Sequence, residues 1–193
     1  MSDRSINVIN GYKDIITGLG YDIRDPNLTD TPARVADYMM KTVGMSPEEV
    51  NEKIKGIVDR KFPGKYKGMV IERHIHVYSL CPHHLLPIQY DIDAAYVPKD
   101  DLIGLSKIPR IAELLTRTLM LQEEYTDKFS DVLFDDMNSQ GSMVVVEGSH
   151  GCITLRGVEL PGCTTVTSSL RGVFRNPPKG LNPRDEFLRL TGR

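Results

Sequence analysis

Val70-Ile71-Glu72-Arg73-His74-Ile75-His76-Val77-Tyr78 is where the chain changes period. Before it, apolar residues recur at helical spacing. Here β-branched residues alternate with polar ones, the pattern of a strand with one buried face. Ile88 to Val97 repeats the pattern. Between them lies Ser79-Leu80-Cys81-Pro82-His83-His84-Leu85-Leu86-Pro87, so the two runs read as an antiparallel pair around a short connection.

Downstream, Pro98-Lys99-Asp100-Asp101 closes the second strand. Gly104-Leu105-Ser106-Lys107 then leads into a helical pattern at Ile108, Ile111, Leu114, Leu115 and Leu119. Ser106 is its expected N-cap, and Pro109 is tolerated in the first turn, where no intrahelical N–H bond is lost. A second helix is expected from Gln122 to Met137. Met143 to Glu147 and Cys152 to Leu155 are expected strands, with Thr164 to Thr167 the tail of that hairpin. Arg184 to Leu190 is a short final helix.

Upstream, Ser5 to Leu19 reads as a helix. Thr31-Pro32 opens a second with Thr31 as N-cap. Ser46-Pro47-Glu48-Glu49 is a capping box starting a third that runs to Val58. Lys61 to Lys67 reads as a basic loop.

Residues 1–67 are therefore an N-terminal helical segment, and 68–193 a β-β-α-α-β-β unit; together they make one functional domain of the α+β class. A four-stranded antiparallel sheet leaves two edges open to pairing with another copy, which predicts a homo-oligomer.

With 193 residues and a net charge of -2, the chain has no global basic field for nucleic acid or membrane. An anionic ligand would need a local cationic cluster. Three cysteines make no disulfide framework and suit a reducing, cytoplasmic compartment. No signal-like segment and no run long enough to span a membrane are expected.

Cys81 and His84 are spaced C-x-x-H, so one tight turn can bring both onto an ion. Cys152 is the third candidate ligand. A Cys81, His84, Cys152 set leaves a fourth position open, the pattern of a catalytic Zn2+. His83 or His150 could instead close the shell, and iron or manganese could occupy such a site. If residues 150–152 are extended, His150 and Cys152 share a face, which puts the imidazole beside the metal.

Cys81-x-His83-His84-Leu85, Gly104-Leu105-Ser106-Lys107, Gln122-Glu123 and His150-x-Cys152 with Arg156-Gly157 stand in order. Thr31-Pro32-x-Arg34 and Gly172-Val173-Phe174 accompany them. Together they resemble GTP cyclohydrolase I, over most of the chain from Leu28 to Leu190. The resemblance implies the tunnelling fold, with sheets joined across subunits into a barrel, and a decamer with active sites where subunits meet. It implies hydrolysis of GTP at guanine C8, release of formate, ribose rearrangement and closure to 7,8-dihydroneopterin triphosphate. It assigns His150 to proton transfer at N7, His83 to acid–base work in ring opening and Ser106 to the later rearrangement. Glu123, supported by Gln122 and Leu105, takes the guanine. Lys107, Arg110, Arg156 and a neighbouring subunit's Arg34 take the triphosphate.

Pro82 stands where the family commonly has Glu. Arg171 is a second departure, a cation that would touch phosphate or face solvent. Two other readings share the fold: a thiol-dependent nitrile reductase, against which the paired histidines and second cysteine argue, and a non-catalytic zinc module.

Overall fold

The computed structural model describes residues 2–157 and 159–193. Helices α1 (Asp3–Gly18), α2 (Thr31–Val43) and α3 (Pro47–Val58) come first. The expected capping box starts α3: Ser46 Oγ accepts from the Glu49 amide, and the Glu49 carboxylate accepts from the Ser46 amide at 2.6 Å. In α2, Thr31 is already helical and Asp30 occupies the cap position without a side-chain cap bond. The segment read as a basic loop contains a strand, β1 (Lys61–Pro63). It is held in register by β4 (Asp101–Ile103), a pairing too short and too remote in sequence to leave a periodic signal.

The central sheet contains β2 (Val70–Leu80), β3 (Pro87–Val97), β5 (Gly141–His150) and β6 (Thr165–Gly172), antiparallel throughout in the order β2-β3-β5-β6. Between β4 and β5 run α4 (Lys107–Leu115) and α5 (Gln122–Asp131), the latter passing into a π-helical turn at Val132–Asp136. Ser106 precedes α4 but makes no side-chain cap bond. After β5 comes α6 (Gly151–Thr154), and α7 (Pro183–Thr191) ends the chain.

Cys152 to Leu155 was expected as a strand, and the structure corrects this. Ile88 pairs with His150, and β3 starts one residue earlier at Pro87. Past His150 there is no partner strand among the described residues, and the chain closes into α6, with the Leu155 amide donating to Gly151 O. The fourth strand is β6, of which Thr165 to Thr167 is the beginning rather than a tail.

Alternation gives the sheet two faces. Ile88, Tyr90, Ile92, Ala94, Val144 and Val146 face α3, α4 and α5 and form the main core with Ile54, Ile108, Ile111, Leu115 and Phe129. The opposite face carries a smaller cluster of Ala95, Met143, Val145, Phe174 and Phe187 under α7. A bulge between Glu72 and Ile75 puts His74 at a positive φ of 53°, where its amide donates to the buried Asp93 carboxylate. His74 and His76 are exposed, as their pattern predicts.

Candidate active site

The turn joining β2 to β3 carries the first two candidate ligands. Leu80 pairs with Pro87, and inside that pair Cys81 N donates to Leu86 O at 2.8 Å. Cys81 O then accepts from the amides of His84 at 3.3 Å and Leu85 at 2.7 Å. Leu85 closes the loop in the left-handed region, φ 54°. The Cys81 thiol is buried, and the two imidazoles are exposed.

Cys152 arrives from α6. A Cβ on Gly151 would meet Pro87 O at 3.0 Å, so glycine lets α6 come close against the hairpin loop. Among the described residues, the ligand atoms of Cys81, His84 and Cys152 form a group within 4.8 Å of one another. Cys81 Sγ lies 3.8 Å from His84 Nδ1. A tetrahedral zinc with bonds of about 2.3 and 2.0 Å spans about 3.5 Å between sulfur and nitrogen, so the donor set fits such an ion. His83 Nδ1 is equally near Cys81, at 3.9 Å, but His83 stands outside the three-residue group. Burial first, then the neighbouring Cys81 sulfur, pushes the Cys152 thiol above its ordinary pKa; Arg156 acts the other way. A divalent cation would relieve this opposition between the two sulfurs.

His150 ends β5 one residue before α6. Its Nε2 lies 2.6 Å from Gln122 Oε1. The Gln122 amide nitrogen donates to Val146 O at 3.2 Å, Thr165 O at 2.9 Å and Thr167 Oγ1 at 3.1 Å. Two of these partners are carbonyls, which only accept, so the orientation of the amide is fixed. Its oxygen therefore faces His150, and His150 Nε2 is the donor. That leaves Nδ1 as the ring nitrogen open to protonation. Burial pulls the His150 pKa below its ordinary value, while nearby Glu123 pulls it back up.

Gln122 is 3% exposed and engaged with protein groups, whereas Glu123 beside it is exposed in the first turn of α5. Two further residues complete this corner and were not singled out in the sequence. Gly148 makes room for the Gln122–His150 bond, since a Cβ there would sit 2.3 Å from Gln122 Oε1. Tyr90, buried under the site, stacks on Tyr125 at 5.1 Å and meets His150 edge-on at 6.3 Å. Burial, then Cys81 and Glu123, drives its hydroxyl far above the ordinary phenol pKa. Its inward place on β3 was legible; its contact with a residue of β5 was not.

The remaining predicted residues are spread over other elements. Leu105 and Ser106 are exposed at the start of α4. The Lys107 ammonium donates to Arg60 O and lies over the Phe62 ring, 5.9 Å from its centroid. Arg110 lines a groove of about 390 Å³ between α4 and β2. Arg34, on α2, pairs with Asp30 at 3.1 Å. Arg156 is exposed. Arg171 is turned toward α5, where it bonds the carboxylates of Asp131 at 2.6 Å and Asp127 at 3.1 Å.

The model of the GTP cyclohydrolase I family matches residues 8–191. Among curated proteins, GTP cyclohydrolase 1 of Saccharomyces cerevisiae is 38% identical over 192 residues, covering 99% of this chain and 76% of the yeast protein. The Campylobacter concisus enzyme of the same name is 38% identical, covering 94% of this chain and 92% of its own. A Nostoc relative is 37% identical, covering 95% of this chain and 82% of its own.

Proposed function

The chain belongs to the GTP cyclohydrolase I family, and we propose that Cys81, His84 and Cys152 hold the metal at which it opens the guanine of GTP. It is a hydrolase acting on GTP. The reaction is hydrolysis at C8 with loss of formate, then ribose rearrangement and ring closure to 7,8-dihydroneopterin triphosphate. The observation that carries the site reading is the Cys–His–Cys group, together with His150, two residues before Cys152 in the chain and held by Gln122.

A bound zinc supplies a Lewis acid that activates water near neutral pH. The chain's own groups do the rest. Attack at C8 pushes electron density onto N7, which must take up a proton. Gln122 occupies Nε2 of His150, so Nδ1 delivers that proton. The Glu123 carboxylate accepts from guanine N1–H and the exocyclic amine, two parallel donors matched to two oxygens. Leu105 offers an exposed apolar contact. His83 moves protons during ring opening, and Ser106, whose hydroxyl makes no cap bond, assists the rearrangement.

Lys107, Arg110, Arg156 and Arg34 bind the triphosphate. Within one chain Lys107 and Arg34 make their polar contacts with Arg60 and Asp30, and binding the triphosphate would exchange these for phosphate oxygens. The family assembles as an oligomer, and sheet edges β2 and β6 are suited to joining copies into the barrel of a decamer of two pentamers. Three free thiols support a reducing, cytoplasmic setting.

The decisive experiment is His150→Ser, with zinc stoichiometry and formate release measured together. Zinc should stay at wild-type stoichiometry while formate release falls at least about a hundredfold. Loss of zinc would make His150 a ligand, and unchanged formate release would remove it from the reaction.

A further inference from the structure

The loop between Cys81 and Leu86 is exposed over His83, His84 and Leu85, so little side-chain packing holds it. It also contains a non-glycine residue at positive φ, Leu85, a conformation that costs energy. Its three internal hydrogen bonds use the amides of Cys81, His84 and Leu85. None asks for an N–H at position 82, the one thing proline lacks. Position 82 is also the second residue of the turn that Cys81 opens and the His84 amide closes, where a φ near -65° is wanted. The residue before a proline is pushed toward extended backbone, and Cys81 directly continues β2.

We infer that Pro82 is a positioning residue that holds the Cys81–His84 turn in its metal-binding conformation before the ion arrives. This rests on the metal reading above. Pro82 ligates nothing; it acts through the two ligands flanking it. Restricting φ at one point removes conformers in which the Cys81 and His84 side chains diverge. The fraction of molecules competent to bind rises, and apparent affinity rises by the same factor. An alanine in the same place restores the lost backbone freedom, and a glycine restores more.

The test is a graded series: wild type, Pro82→Ala and Pro82→Gly, each as the assembled, zinc-loaded protein. Zinc is withdrawn by increasing concentrations of a chromophoric chelator. Affinity should fall about two- to fivefold from Pro to Ala and by a similar factor from Ala to Gly. Assembly size and circular dichroism should not change. Equal affinities across the series would overturn the inference. So would a Gly variant no weaker than Ala, because that pattern belongs to a lost ring contact rather than to backbone freedom. A wild-type protein without bound zinc would overturn the metal reading and this inference together. Zinc at one per chain with a flat series would overturn this inference alone.

Discussion

Helices α4 and α5 lie side by side on one face of the sheet but are fastened in opposite ways. α4 is held by Ile108, Ile111, Ala112 and Leu115, all at 0% exposure. α5 buries Tyr125 and Phe129, yet its other buried positions are Gln122, Thr126 and Ser130, one turn apart in sequence. Each of those three has a partner. Thr126 Oγ1 lies 2.6 Å from Thr167 Oγ1 on β6, and Ser130 Oγ lies 2.8 Å from Ser142 Oγ on β5. Apolar burial is non-directional and tells a helix only which face to cover. Hydrogen bonds have direction, so the polar seam of α5 also sets where the helix stops along the strands. That stop places Gln122 against His150.

The sharpest way to break the comparison is to cut into α4. Ile111→Ala should destabilise the protein by about 2–5 kcal/mol through transfer loss and a cavity. Denaturant unfolding at one protein concentration measures this. The folded fraction should keep its kcat within about twofold, since Ile111 contributes area rather than direction. A large drop in kcat would mean that the two helices position the site jointly.

Both helices were legible from the sequence, but only the apolar one's packing was. Ile108, Ile111 and Leu115 announce their spacing without reference to anything else. Gln122 reads as a solvated helix start or a substrate contact, because its partners, Val146, Thr165 and Thr167, lie on strands far along the chain. The same limit explains Cys152. Its residue type offered it as a candidate ligand, but the local run Cys152-Ile153-Thr154-Leu155 looks like a strand. Only the end of β3 at Pro87 shows that no partner waits there. Capping, by contrast, is local, and the Ser46–Glu49 box was readable in full.

A smaller effect should come from the top of the polar seam. Gln122→Met keeps the volume and removes the amide. The buried Val146 carbonyl loses a donor, at a cost of about 1–3 kcal/mol. His150 loses the acceptor that fixes its ring. Turnover should fall about ten- to a hundredfold with zinc retained, the usual penalty for a misaligned reacting group. Stopped formate assays beside zinc analysis would report both. If stability fell while kcat held, the seam would be structural only, and the contrast with α4 would reduce to one of residue type.

The smallest effect belongs to the outer end of the same seam. Arg171 on β6 is 23% exposed and reaches two carboxylates of α5 that are largely open to water. Exposed pairs of this kind are worth about 1 kcal/mol or less and weaken with salt. Arg171→Met should therefore cost no more than that in urea. The pH dependence has a definite sign. Ser169 first, then Arg171, holds the Asp127 carboxyl below its ordinary pKa. Stabilisation from such a group is present above the unfolded carboxylate pKa and disappears as pH falls through the lowered native value. The wild-type advantage over Arg171→Met should thus be seen at neutral pH and fade in acid, as pH falls below the ordinary carboxylate range. A difference that persists there would assign the effect to packing of the arginine stem instead. The KM for GTP tests whether this cation also serves the substrate. It should be unchanged if Arg171 is spent on α5, and a rise would return the guanidinium to the phosphates.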